Sequence, residues 1–212
     1  MEKSLNSAFE CAPLSGYEKI LRIVGPLYRF LFRIKTEGLE NLPEQDGFYV
    51  VANHLSNHDP FFVAVALGRR MHFMAKKELF GTPVVGRFVK AMSAFPIDRG
   101  NADLASIRTA IGCIKRGESV AIFPQGHRCI GAPASSMPPK AGLGMLVGRT
   151  ASTVVPVAIV TKNNRAKLFR PVTVRIGKPI PFETYGVEGR SSEDYQTITD
   201  TVFDRVCGMI ES

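Results

Sequence analysis

The segment Asn53-His54-Leu55-Ser56-Asn57-His58-Asp59-Pro60 sets an imidazole five residues ahead of a carboxylate. A carboxylate that accepts the N–H of one ring nitrogen fixes the imidazole tautomer and stabilises the imidazolium. The other nitrogen can then take a proton from a hydroxyl. A base positioned in this way contributes roughly 10²–10⁴-fold to a rate. His58 lies in the same segment and reads as a hydrogen-bonded turn residue. The chain has no G-x-S-x-G nucleophile elbow, which favours direct attack by a substrate hydroxyl over a covalent enzyme intermediate.

On a single helix, five residues (about 500° of rotation) would point His54 and Asp59 to different faces. Two elements must therefore meet at the pair. The apolar run Phe48 to Ala52 has the length of a buried strand, and Phe61 to Leu67 reads as a helix opening on Pro60. Asp59 is expected at that helix's N-cap. The intervening turn has to bring the imidazole and the carboxylate together.

Further along, strands are expected at 71–75, 93–97, 119–123, 154–160 and 172–176. Helices are expected at 84–92, 102–115 and 140–148, the second capped by Asn101. A last helix is capped by Ser191 or Ser192 and runs to about Ile210. Pro156 points to an edge position or a bulge for its strand. Residues 129–139 read as a loop. Strands alternating with helices indicate an α/β fold with a mixed, largely parallel sheet flanked by helices.

Ahead of this domain, residues 1–13 read as a loose arm, and Ser15 to Lys35 carries a helical apolar pattern. Lys19, Arg22, Arg29 and Arg33 share a stripe about 80° wide at 100° per residue. Pro26 lies on the same side and is a candidate kink. A wide apolar face with a cationic edge is the pattern of an amphipathic helix lying at a membrane surface.

The net charge of +8 calls for an anionic partner: nucleic acid, a phospholipid surface or a phosphorylated substrate. The basic residues are not interleaved with aromatics as a nucleic-acid platform would require, so nucleic acid is not expected. Hydrophobic content of 45% and charged content of 22% argue against disorder. Cys11, Cys113, Cys129 and Cys207 are far apart and lack C-x-x-C spacing, which reads as reduced thiols and no metal site. No signal-peptide pattern and no apolar run of about 18 residues is present. The expected location is the cytoplasmic face of the cell membrane, as a peripheral or monotopic protein.

Four blocks in order resemble the bacterial 1-acylglycerol-3-phosphate O-acyltransferases, the PlsC-type family. Asn53-His54-x4-Asp59-Pro60 is similar to that family's N-H-x4-D-P signature. Lys76, Leu79, Gly86 and Arg99 fit its K-x2-L-x6-G-x12-R pattern. Phe123-Pro124-Gln125-Gly126-His127-Arg128 is similar to its F-P-E-G-T-R block, and Val155-Pro156-Val157 to its last, Pro-containing block. The resemblance covers about Tyr17 to Ile180. It implies residues 37–212 as the acyltransferase domain, behind an arm and membrane-surface helix at 1–36.

The resemblance further implies acyl transfer from acyl-CoA or acyl carrier protein to a lysophosphatidate-like hydroxyl, with no cofactor and no metal. His54 would be the general base and Asp59 its orienting partner. Lys76, Arg99 and Arg128 would bind the acceptor phosphate, with Lys140 a further candidate; Arg offers phosphate a planar fork, and Lys a point charge. Asn53, Gly86, Gly126 and Pro156 would shape the site. Gln125 replaces the family's Glu, losing a charge and gaining two donors. If that charge serves the site, Gln125→Glu should raise transfer. His127 replaces the usual Thr. Alternatives are a glycerol 3-phosphate or other lysophospholipid acceptor, a weakly active or non-catalytic lipid-binding protein, and a metal hydrolase using His54, His58 and Asp59.

Overall fold

The computed structural model describes residues 15–98 and 104–211. Seven strands form one sheet: β1 (Lys35–Glu37), β2 (Tyr49–Ala52), β3 (His72–Lys76), β4 (Ala94–Ile97), β5 (Val120–Ile122), β6 (Val154–Thr161) and β7 (Val172–Ile176). Their order is β1-β7-β6-β2-β5-β3-β4. All neighbours are parallel except β6 and β7, which are antiparallel. Among the described residues six α-helices surround it: α1 (Ser15–Leu31), α2 (Asp59–Leu67), α3 (Pro83–Ala91), α4 (Leu104–Lys115), α5 (Gly142–Thr150) and α6 (Ser192–Glu211).

The central strands are apolar on both faces because helices cover both faces. On β2, Val50 and Ala52 pack with residues of α1 and α2, whereas Tyr49 and Val51 pack with residues of α4, α5 and α6. This two-layer burial aligns the carboxyl ends of β2, β3, β4, β5 and β6 along one edge. In open α/β sheets that edge is where ligand crevices form.

Two sequence expectations require correction, and a third is resolved between its alternatives. Asp59 is the first residue of α2 rather than its cap: His58 takes the cap position with helical angles and no side-chain capping bond. Pro156 lies on β6, between β2 and β7, so it is not at an edge. It sits at a bulge: Val157 pairs with Ile176 and Val154 bridges Ile180, so Val155 and Pro156 face the three residues 177–179. The missing N–H of Pro156 therefore interrupts no regular ladder, and its carbonyl accepts the Gly177 N–H at 2.8 Å.

The second correction concerns the amino-terminal region. The helix expected to run to Lys35 ends at Leu31, residues 35–37 form β1, and α1 packs on the sheet's core. Tyr17 is fully buried, and Ile20, Leu21, Val24, Tyr28 and Leu31 pack against the same core. Arg33, beyond the helix end, leaves the cationic stripe, and Arg29, though exposed, reaches across to α2 and donates to the Val65 carbonyl at 2.6 Å. Pro26 is accommodated inside α1. The expected arm at 1–13 and the Asn101 cap lie outside the described residues.

Candidate active site

The turn after β2 brings the pair together. His54 Nδ1 donates to Asp59 Oδ2 at 2.8 Å, with the carboxylate fully buried and the imidazole 7% exposed. Instead of capping its own helix, the carboxylate folds back over the turn. Oδ2 also accepts the Leu55 N–H at 2.5 Å and the Ser56 N–H at 2.7 Å. Hydrogen bonds to an ionised acceptor are the strong kind, worth about 1.5–3 kcal/mol each. They fix Asp59, and Asp59 fixes the tautomer of His54, leaving the lone pair on Nε2.

The main chain of His54 is held from both sides. Its N–H donates to Gln125 Oε1 at 2.8 Å, and its carbonyl accepts the Cys129 N–H at 2.7 Å. Its ring stacks on Phe123 with centroids 4.6 Å apart. One residue earlier, Asn53 extends the sheet with its side chain. Nδ2 donates to the Ile159 carbonyl at 3.0 Å and Oδ1 accepts the Ile159 N–H at 2.7 Å. Asn53 thus imitates one more peptide of β2 pairing with β6, which sets where the turn begins.

Gln125 is buried, and its amide Nε2 donates to the Ala134 carbonyl at 3.0 Å. Both ends of the amide are used, one as acceptor and one as donor. A carboxylate would place an oxygen against the Ala134 carbonyl. The neutral residue therefore suits this chain, and the ground for expecting Gln125→Glu to raise transfer is removed. Residues 129–139 fold beneath the turn, with Cys129 and Ala134 buried.

Gly126 closes the Phe123–Gly126 turn with φ +73°, and a Cβ there would sit 3.0 Å from Lys140 Cε. Lys140 thus lies against the turn whose Gln125 holds the His54 main chain. A cavity of about 330 Å³ opens beside it, lined by Phe123, Gly126, Lys140, Asp98, Met74 and Leu143 among others. Lys76 ends β3 at the same edge of the sheet and pairs with Glu78 at 3.2 Å on the surface. Arg128 is exposed, as is His127. Arg99 lies outside the described residues. Gly86 is a packing residue, since a Cβ there would come within 2.6 Å of the Phe80 carbonyl oxygen.

His58 belongs to a different network. Tyr28 Oη lies 2.8 Å from His58 Nδ1, and the two rings pack with Phe32, Phe61 and Phe62. Burial raises the Tyr28 pKa, so its hydroxyl stays protonated at neutral pH and can donate. His54, His58 and Asp59 therefore do not converge as metal ligands. A different group does come together at the opposite end of the sheet, where the side-chain atoms of His72, Cys113 and Glu118 lie within 4.8 Å of one another. His72 Nδ1 donates to the Ser93 carbonyl, and Nε2 faces Glu118 at 3.3 Å. Arg116 donates to both Glu118 and Cys113 and neutralises the cluster internally. Among the described residues, no disulfide joins Cys113, Cys129 or Cys207.

Sequence reasoning passed over Tyr28, Cys129 and Ala134. Tyr28 is one apolar position among many on α1. Cys129 and Ala134 contribute main-chain groups, which leave no trace in residue type.

An oriented His–carboxylate pair thus lies at the carboxyl edge of a largely parallel sheet, an arrangement able to take a proton from a hydroxyl. The chain belongs to the acyltransferase family, whose model matches residues 33–160. It is 35% identical over 150 residues to the 1-acyl-sn-glycerol-3-phosphate acyltransferase of Bacillus subtilis, covering 69% of this chain and 73% of that protein. It is 27% identical over 166 residues to the enzyme of that name from Streptococcus pneumoniae, covering 77% of this chain and 61% of that protein. The fold matches the crystal structure of the 1-acyl-sn-glycerophosphate acyltransferase PlsC from Thermotoga maritima. There the TM-score is 0.66 at 24% identity, over 93% of this chain and 78% of that one.

Proposed function

We propose that this acyltransferase moves a fatty acyl group from a thioester, acyl-CoA or acyl carrier protein, to the hydroxyl of a lysophosphatidate at an anionic membrane surface. The observation that carries the reading is the His54–Asp59 pair at 2.8 Å, locked by two main-chain donors. The relatives named above support lysophosphatidate as acceptor.

In this mechanism Nε2 of His54 takes the acceptor hydroxyl proton as the oxygen attacks the thioester carbonyl. Asp59 stabilises the resulting imidazolium. The tetrahedral intermediate collapses, the C–S bond breaks, and the thiolate takes the proton back from His54. The products are an ester and a thiol. Lys140, against the Phe123–Gly126 turn, and Lys76, whose exposed partner Glu78 holds it weakly, receive the acceptor phosphate; Arg128 and Arg99 complete the set. The largely apolar cavity beside Phe123 and Leu143 receives the acyl chain.

His54→Ala should abolish thiol release from palmitoyl-CoA with lysophosphatidate while the circular dichroism and melting of the protein stay near wild type. Turnover close to wild type in that variant would sink the mechanism. A purified wild-type protein that binds lipid and consumes no thioester from any donor would favour the alternative of a lipid-binding protein. A panel with glycerol 3-phosphate and other lysophospholipids separates the acceptors, and paired CoA and carrier-protein donors separate the thioesters.

A further inference from the structure

The connection between β6 and β7, residues 162–171, carries Lys162, Arg165, Lys167 and Arg170 and no acidic residue. Lys167 to Arg170 closes as a tight turn, the Arg170 N–H donating to the Lys167 carbonyl at 3.2 Å. The two residues at its apex are apolar and largely exposed, Leu168 at 57% and Phe169 at 60%. Phe169 adopts φ +61°, a position in such a turn where Gly or Asn is preferred. The exposure of a bulky aromatic ring to water has a free-energy cost that an apolar environment outside the protein would offset, and the left-handed turn keeps the ring at the apex.

The turn is tied to α1. The Phe169 N–H donates to the Leu31 carbonyl at 2.6 Å, and its ring meets Phe30 edge-on at 6.4 Å. Phe30 is 70% exposed, and Ile23 and Leu27 on the same outward face of α1 are also exposed. The apex thus continues an apolar strip along α1, edged by Lys19 and Arg22 on the helix and Lys167 and Arg170 on the turn. Apolar groups flanked by cations match an anionic phospholipid surface.

The turn also lies at the catalytic edge. Strand β6 runs parallel to β2, so its connection to β7 emerges at the same end of the sheet as His54. The Gly131 N–H donates to the Asn164 carbonyl at 3.0 Å, and the Arg165 guanidinium lies against Gly131. Gly131 follows the segment that holds His54.

We propose that the Lys167–Arg170 turn is a bilayer-inserting element that, with α1, fixes the orientation of the catalytic edge against an anionic phospholipid membrane. This inference rests on the membrane-surface reading above and deepens it. The chain contains no tryptophan, so Phe169→Trp in the full chain places one reporter at the apex. On phosphatidylcholine/phosphatidylglycerol vesicles its emission should shift to the blue and be quenched by lipids brominated on the acyl chain. Leu168→Ser with Phe169→Ser should weaken vesicle binding at least about tenfold, with thioester turnover on a water-soluble short-chain acceptor within about twofold of wild type. Wild-type vesicle binding, with an unquenched, water-like emission from the Phe169→Trp reporter and an unaffected double variant, would overturn the role of the turn and leave α1 as the contact. Absence of vesicle binding by the wild-type chain would overturn both readings. A double variant that converts a dimer to a monomer and leaves vesicle binding intact would assign the apex to a second copy of the chain and overturn the proposal.

Discussion

The side chain of Gln125 bridges two main-chain groups, the His54 N–H and the Ala134 carbonyl, and both bonds are buried. Gln125→Glu removes the donor and sets a carboxylate against a carbonyl. The expected cost is about 1–3 kcal/mol of stability, seen as a lower melting temperature, together with slower transfer because the His54 backbone shifts. Faster turnover with unchanged stability would show that Ala134 rotates away and that the carboxylate is welcome. Asp59→Asn tests the other support of His54. The amide can still accept from Leu55 and Ser56 but no longer stabilises the imidazolium. Turnover should fall roughly 10²–10⁴-fold, with the KM for acceptor little changed. An equal loss in kcat and in acceptor affinity would place Asp59 in binding instead.

Among the elements, α1 and α6 show how local signals combine with packing. Helix α6 begins with a reciprocal cap: Ser191 Oγ accepts the Asp194 N–H at 3.0 Å, and Asp194 Oδ2 accepts the Arg190 N–H at 2.9 Å and the Ser191 N–H at 3.3 Å. Of the two candidate caps, Ser191 is the one in place. The Arg190 N–H first, and then Ser191, hold the Asp194 carboxyl below its ordinary pKa. A depressed carboxyl contributes stability above its unfolded value of 3.8 and loses it as pH falls through the folded value. Asp194→Asn should therefore narrow the difference in melting temperature between neutral pH and pH below 3.8; an unchanged difference would remove Asp194 from the acid response. Ser191→Ala should cost about 0.5–2 kcal/mol in chemical denaturation.

Helix α1 is both a lid on the core and an outward face. Tyr17 is fully buried and its hydroxyl donates to the Arg69 carbonyl at 2.9 Å. Tyr17→Ala should destabilise the protein by roughly 3–5 kcal/mol. Deleting residues 1–35 would strip Tyr17, Phe32 and Ile34 from the core and cut into β1, so it reports on folding as well as on vesicle binding. Point changes on the outward face are the cleaner probe.

For the whole molecule, no described helix is long and apolar enough to cross a membrane. The net charge of +8 and the exposed apolar strip argue for binding at the surface of an anionic bilayer. Such binding should weaken between low and high salt as the Debye length contracts from about 10 Å at 0.1 M to about 3 Å at 1 M. Salt-independent sedimentation with vesicles would assign the contact to apolar insertion alone.

Much of this architecture was legible in residue order. Strand–helix alternation predicted a largely parallel sheet, because buried strands must be apolar on both faces. The spacing of His54 and Asp59, with Pro60 to open a helix, demanded a strand–turn–helix junction. The antiparallel return of β7, the bond from Arg29 to the Val65 carbonyl and the choice of a bulge over an edge at Pro156 were decided only by the fold, since each depends on a neighbour distant in the chain. The same holds for the clamp on His54. Gln125, Cys129 and Ala134 act there through main-chain partners, and a main-chain N–H or carbonyl is identical in nearly every residue type. Residue types named the groups able to do chemistry; tertiary contacts alone set which backbone groups hold them still.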